Sequence, residues 1–181
     1  MKLGVYVGSF NPVHNGHIKV ANYLLNNGYL DKIFVIPTPN YWDKQDLIDI
    51  KKRIEMLKFF ERDNLIIDST HNYPYTYQIL DEIKEENPGD DIFLVISSDN
   101  LEKFHLWKNI NHILTYRVIV LRRGYRDIEE PLKKFDRSRF IVINDFPFID
   151  VSSTEIRNNL DNENLDGRVL KYIRENKLYN S

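Results

Sequence analysis

The sequence predicts an α/β fold, a doubly wound and mostly parallel sheet with helices on both faces, and three observations carry that reading. Short apolar runs alternate with stretches whose apolar residues recur at helical spacing, the order of successive βαβ units. The runs are continuous rather than alternating, as in Ile92-Phe93-Leu94-Val95-Ile96, which suits strands covered on both faces. The composition, 42% hydrophobic and 29% charged in 181 residues, supplies a sizeable core for one domain spanning residues 1–181.

The elements follow in order. Leu3–Val7 is an apolar strand that stops at Gly8. His17–Asn27 carries Val20, Ala21, Leu24 and Leu25 on one helical face, and Gly28 can close it. Lys32–Ile36 is a strand stopped by Pro37 and Pro39. Ile50, Ile54, Leu57 and Phe60 mark a second helix, and Leu65–Ile67 a third strand. Thr76, Ile79, Leu80 and Ile83 mark a third helix, ended by Asn87-Pro88-Gly89. Ile92–Ile96 is the fourth strand, followed by two short helices around Leu101–Phe104 and Trp107–Leu114. Arg117–Leu121 and Phe140–Ile143 are the fifth and sixth strands. From Ser153 the chain is helical, with Val169, Leu170 and Ile173 on one face.

Charge and cysteine content narrow the function. A net charge of −2, from 25 basic and 27 acidic residues, does not favour nucleic acid or a membrane as partner. The absence of cysteine removes thiol nucleophiles, disulfide scaffolds and cysteine zinc sites. No apolar run approaches the roughly 20 residues a membrane helix requires, and the first residues are too soon interrupted for a signal peptide. A cytoplasmic protein is therefore expected, and a homo-oligomer is compatible with the sequence. The stretch Arg122–Arg139 mixes both charge signs and reads as a solvated loop and helix.

Ligands of open parallel sheets sit beyond the carboxyl ends of the strands, where the strand order switches. That selects the loops Gly8–Gly16, Pro37–Leu47 and Ser97–Trp107, and the approach to Ser152. In the first of these, Gly8 and Gly16 permit close backbone approach to a ligand at a helix entry that can receive phosphate. His14 and His17 are three residues apart and can aim imidazole donors at phosphate oxygens. Ordinary capping or a metal site are competing readings of the pair, and no third or fourth metal ligand is evident nearby. The loop has neither the P-loop pattern nor G-x-G-x-x-G. Near the C-terminus, Ser152 and Glu155 have capping-box spacing, and Arg157 offers a planar fork for phosphate or is an ordinary surface arginine.

Gly8-Ser9-Phe10-Asn11-Pro12-Val13-His14-Asn15-Gly16-His17 resembles the complete G-x-F-x-P-x-H-x-G-H signature of the HxGH nucleotidyltransferase superfamily. Val151-Ser152-Ser153-Thr154-Glu155-Ile156-Arg157 is similar to its second motif, I-S-S-T-x-I-R, in the form that favours adenylyl transfer from ATP over cytidylyl transfer. Within the superfamily the chain resembles the bacterial nicotinate mononucleotide adenylyltransferases nearly end to end. Lys52–Lys58 is similar to their H-R-L-E-M-[LV]-K helix, and Pro74–Leu80 to S-Y-T-x-D-T-L. Asp99-Asn100 with Trp107-Lys108 resembles G-x-D-x(n)-W, and Lys171–Tyr179 resembles the terminal Y-I-x-x-x-x-L-Y. There are departures: Pro39–Lys44 replaces P-P-H-K, and Ser97-Ser98-Asp99 stands where G-[AP]-D is usual.

The resemblance implies a Rossmann-like fold and transfer of an adenylyl group from ATP to nicotinate or nicotinamide mononucleotide, with magnesium carried by the triphosphate. It implies catalytic roles for His14, His17 and Arg157. It assigns ATP and its phosphates to Gly8, Ser9, Phe10, Gly16, Lys44, Ser152, Ser153 and Thr154. Thr76, Asp99 and Trp107 would bind the mononucleotide, the indole of Trp107 stacking on the pyridine ring, and no residue is expected to ligate a metal directly. A phosphopantetheine adenylyltransferase, which usually carries Thr at the position of His14, or another small-molecule adenylyltransferase of the same superfamily is one alternative. A non-catalytic nucleotide-binding regulator is another. His71, His105 and His112 read as structural or surface residues.

Overall fold

A computed structural model describes residues 1–39, 47–71, 73–124 and 127–181. Six strands form one sheet: β1 (Lys2–Gly8), β2 (Lys32–Pro37), β3 (Leu65–Ile67), β4 (Asp91–Ser97), β5 (Arg117–Leu121) and β6 (Phe140–Ile143). Their order is β3-β2-β1-β4-β5-β6, and every pairing is parallel. This is a Rossmann-like, doubly wound sheet. The chain leaves β1 first toward β2 and β3, then returns to lay β4, β5 and β6 on its other side. The switch point lies between the carboxyl ends of β1 and β4, at Gly8 and Ser97.

The helices are α1 (Asn15–Asn26), α2 (Ile50–Leu57), α3 (Thr76–Glu86), α4 (Ile110–Ile113), α5 (Glu129–Leu132), α6 (Ser153–Asn158) and α7 (Gly167–Glu175). They cover both faces, and the strand residues alternate between two cores. On one side Val95, Ile119 and Leu121 pack with Leu24 of α1, Met56 of α2, Ile156 of α6 and Ile173 of α7. On the other, Leu94, Ile96, Val118 and Val120 pack with Leu80 and Ile83 of α3, Ile113 of α4 and Leu132 of α5. Both halves of each apolar run are thereby removed from water, which is why the runs are continuous. Truncating a fully buried residue such as Leu94 to Ala would cost about 2–5 kcal/mol.

Three local departures from the expected elements have physical causes. The first helix begins at Asn15 rather than His17, because His14 caps it. The stretch from Trp107 is helical only over Ile110–Ile113: Trp107 is extended, and Asn109 takes a left-handed φ of 54° that blocks propagation. The C-terminal stretch is two helices, with Asp166 capping the second through the N–H of Arg168. No helix among the described residues is long and apolar enough to cross a membrane.

Candidate active site

The loop that leaves β1 is held by its carbonyls. Thr38 donates its N–H to Gly8 O at 2.8 Å, and Arg53 of α2 donates Nη1 to Ser9 O at 2.8 Å. Arg157 donates Nη1 to Asn11 O at 2.9 Å, and Ser153 donates its hydroxyl to Pro12 O at 3.1 Å. The hydroxyl of Tyr179 bonds Asn11 Oδ1, and the Asn11–Pro12 peptide is cis. Arg53 is wholly buried and also bonds Ile48 O, so removing it would orphan two carbonyls at about 1–3 kcal/mol each. Phe10 sits at a φ of 45°, a conformation unusual for a bulky residue. Its ring closes over Gly8, where a Cβ would come within 3.2 Å of it. The same ring meets Tyr6 and His17 edge-on at 5.3 and 4.9 Å.

The two histidines form a capping box at the entry to α1. His14 Nδ1 accepts the N–H of Gly16 at 3.0 Å, and His17 Nδ1 accepts the N–H of His14 at 3.1 Å. A nitrogen that accepts from an amide carries no proton of its own. Each ring is therefore neutral, with its single proton on Nε2. Burial acts in the same sense, pushing the His14 imidazole down to about 4. Burial, reinforced by His14 and by Arg123, holds His17 well below the ordinary histidine range. Gly16 makes the arrangement possible, because a Cβ there would lie 2.8 Å from the His14 ring.

Two neighbouring cavities open at the switch point. The first, about 240 Å³, is lined by Gly8, Phe10, Gly16, both histidines, Ser152 and Ser153. Arg123, Asn100 and the apolar residues Phe146, Phe148 and Ile149 also line it. The second, about 640 Å³, is lined by Ser9, Thr76, Tyr75 and Trp107 among others. Val7, Gly8 and Asn100 line both, so the cavities meet over the end of β1. One side carries neutral imidazoles, serines and the guanidinium of Arg123, the other a flat aromatic wall.

Not every residue singled out from the sequence falls in the wall expected of it. Ser9 lines the second cavity rather than the first. Arg157 lines a separate cavity of about 350 Å³ with Leu47 and Ile48, and its Nη2 bonds Thr154 Oγ1 at 3.2 Å. Thr154 is exposed. Ser152 caps α6 by accepting the N–H of Glu155 at 3.1 Å. Asp99 forms an ion pair with Arg123 at 3.1 Å. Lys44 lies outside the described residues. His71 is buried between Asp68 and Glu86, and His112 pairs with Asp81 at 2.7 Å. Arg123 is a lining residue that sequence reasoning missed, while Asn100 fell within a selected loop but was given no role. Arg123 stands two positions beyond β5, and the rule that selected the other strand-end loops reaches it as well.

The cytidylyltransferase-like family model matches residues 5–159. A Flavobacterium johnsoniae protein named "probable nicotinate-nucleotide adenylyltransferase" is 32% identical, with 99% of each chain covered. The Bacillus subtilis nicotinate-nucleotide adenylyltransferase is 29% identical, also over 99% of each chain. The structure titled as Plasmodium falciparum nicotinic acid mononucleotide adenylyltransferase complexed with NaAD matches with a TM-score of 0.83 at 23% identity, over 99% of this chain and 97% of that one, and shares its fold. With strand order, the paired phosphate motifs and full-length likeness in agreement, the chain belongs to the cytidylyltransferase-like family and, within it, to the nicotinate-nucleotide adenylyltransferases.

Proposed function

We propose that the chain transfers the adenylyl group of ATP to nicotinate mononucleotide, giving the dinucleotide of NAD biosynthesis and pyrophosphate. The observation that carries this is the pair of cavities meeting at Gly8 and Asn100, one suited to phosphates and the other to an aromatic ring. ATP is assigned to the first, its phosphates against the Nε2–H groups of His14 and His17, in the cavity that Ser152 and Ser153 also line. The mononucleotide is assigned to the second, its pyridine ring against Trp107. The names of the relatives favour nicotinate over nicotinamide as the acceptor.

The 5′-phosphate oxygen of the acceptor attacks the α-phosphorus, the bond to the bridging oxygen breaks, and pyrophosphate leaves with the electron pair. No protein nucleophile is required. The chain contributes alignment across the shared floor and donors aimed at the charge that builds on the phosphate oxygens. The described lining of the first cavity, with imidazole N–H groups, one guanidinium and no carboxylate, suits an anion that arrives with its own cation. Magnesium arriving with the triphosphate would supply charge neutralisation.

The test is ATP and magnesium with nicotinate mononucleotide, nicotinamide mononucleotide or phosphopantetheine in parallel, following pyrophosphate and the product. Dinucleotide formation, fastest with the nicotinate form, is expected. Absence of pyrophosphate with every acceptor would overturn the reading.

A further inference from the structure

We propose that Arg123 binds the β- and γ-phosphates of ATP and remains on the pyrophosphate as it leaves, a role lying outside the two phosphate motifs. The inference rests on reading the first cavity as the ATP site. Arg123 follows the end of β5 and lines that cavity together with the histidines and Ser152. Among the described residues lining it, Arg123 is the sole lysine or arginine.

That position matters because the histidines bring no charge. Each gives its Nδ1 lone pair to a backbone N–H, so each can offer a hydrogen bond to phosphate through Nε2 but not a positive charge. Arg157, the cation of the second motif, lines a different cavity and spends Nη1 on Asn11 O. Among the described residues that line the first cavity, the fixed cation is then Arg123.

The guanidinium is preorganised for the task. Nη1 donates to Asp99 Oδ2 at 3.1 Å and Nη2 donates to Val151 O, the residue immediately before Ser152. The cation is thereby docked at the root of the second motif. The main chain of Arg123 is fixed as well, its N–H donating to Ser98 Oγ at 2.8 Å and its carbonyl accepting from that hydroxyl at 3.2 Å. Ser98 itself is buried. Two of the five guanidinium N–H donors are occupied by Asp99 and Val151, leaving the others for two phosphate oxygens in the planar fork geometry that arginine favours. The side chain is 30% exposed, open enough for a ligand to reach. When the bond from the α-phosphorus breaks, the electron pair stays on the pyrophosphate oxygen, and a held cation stabilises that charge without reorganising.

The experiment measures equilibrium binding of α,β-methylene ATP and of inorganic pyrophosphate, each with magnesium, to wild type, Arg123→Gln and Arg123→Lys. Nicotinate mononucleotide binding is the control. The Gln variant should bind both phosphate ligands about tenfold to a hundredfold more weakly, the Lys variant less so, with acceptor affinity within about twofold of wild type. If Arg123→Gln does not fold, Arg123→Lys still keeps a donor for Val151 O and should show weakening confined to the phosphate ligands. Wild-type affinity for both phosphate ligands in a folded Gln or Lys variant overturns the proposal. So does equal weakening of phosphate and acceptor ligands, the signature of a merely structural ion pair. A wild type that binds pyrophosphate, and whose variants lose it, but that makes no dinucleotide would refute the acceptor assignment and leave Arg123 supported.

Discussion

His14 and His17 lie face to face, their ring centroids 3.7 Å apart and their planes 23° from parallel. Two imidazoliums at that distance would repel by about 4 kcal/mol even at an effective dielectric of about 20. The stack is thus a pair of neutral rings. Three residues of sequence spacing produce it, because His14 caps α1 while His17, one turn on, reaches back to the N–H of His14.

His17→Ala removes one of these donors while leaving the cavity otherwise built. Loss of a donor aimed at developing charge costs about 2.7–4 kcal/mol, so kcat should fall about a hundredfold to a thousandfold. Stability should fall by only about 1 kcal/mol, the scale of a lost cap contact. An unchanged kcat in the folded variant would place His17 outside the reacting site.

The pH dependence follows from the same pair. Both imidazoles have lowered pKa values in the folded protein, His14 to about 4. The neutral donor form therefore persists well below the ordinary histidine value of about 6.5, and kcat should show no step there. For stability the sign is the usual one for a depressed group. The contribution is complete above about pH 6.5 and is lost as pH falls toward the folded values. A kcat profile that drops with unit slope near pH 6.5, with the fold intact by circular dichroism, would contradict neutral donors.

Gly16→Ala tests the stack without touching an imidazole. The new Cβ would lie 2.8 and 2.9 Å from two atoms of the His14 ring and 3.2 Å from Val151 Cγ1. The ring must turn, and its bond from the Gly16 N–H is disturbed. Overpacking of this kind costs about 1–3 kcal/mol, while kcat should fall at least tenfold through misplacement of the donor. Full activity in this variant would show that the position of His14 is not important to the rate.

Much of this was legible in the sequence. Continuous apolar runs predicted the buried strands, and helical spacing found Leu80, Ile83 and Ile173 on core faces. The strand order was not legible, because pairing joins residues far apart in the chain, such as Val5 with Leu94. The helix expected from Trp107 is interrupted by a left-handed Asn109, a single-residue conformation that apolar spacing does not express. In the site, the spacing of His14 and His17 predicted convergence, but their mutual capping and fixed tautomers are properties of geometry. Arg123 was lost in a run of mixed charge, where composition favours solvent. What distinguishes it is its position at a strand end.

His71 should make stability fall on the alkaline side. It is 5% exposed, bonds Asp68 through Nδ1, and faces both Glu86 oxygens through Nε2 at 3.1 Å. Burial pulls its pKa down, but the hydrogen bonds and charges of Asp68 and then Glu86 outweigh that and leave it raised. A raised folded value means the contribution is complete below about pH 6.5 and is lost as pH rises through the folded value. Urea midpoints of wild type should decline across that window, and those of His71→Gln should decline less. Parallel curves would show that His71 does not titrate in the fold.

Trp107→Ala should weaken the mononucleotide more than ATP. The indole lines the second cavity with Thr76 and Tyr75, away from the histidines and Ser152. One side of it packs edge-on against Phe104, with centroids 4.8 Å apart, and the residue is half-buried, so it serves the core and the cavity together. Stacking under a cationic pyridine ring is worth about 0.5–2 kcal/mol, a roughly twofold to thirtyfold rise in acceptor KM. Because the stack exists both before and during the reaction, kcat should change little. Truncation also removes packing on Phe104, so melting temperature must be followed, at a cost below the about 3–5 kcal/mol of a fully buried aromatic. Trp107→Phe keeps a flat ring and should restore most of the acceptor affinity, which a purely structural role would not require. If the folded Ala variant instead raises the ATP KM and spares the acceptor, Trp107 belongs to the adenine side. The pyridine ring must then be sought first at Tyr75, which lines the same cavity and is stacked on Tyr77 at 6.1 Å.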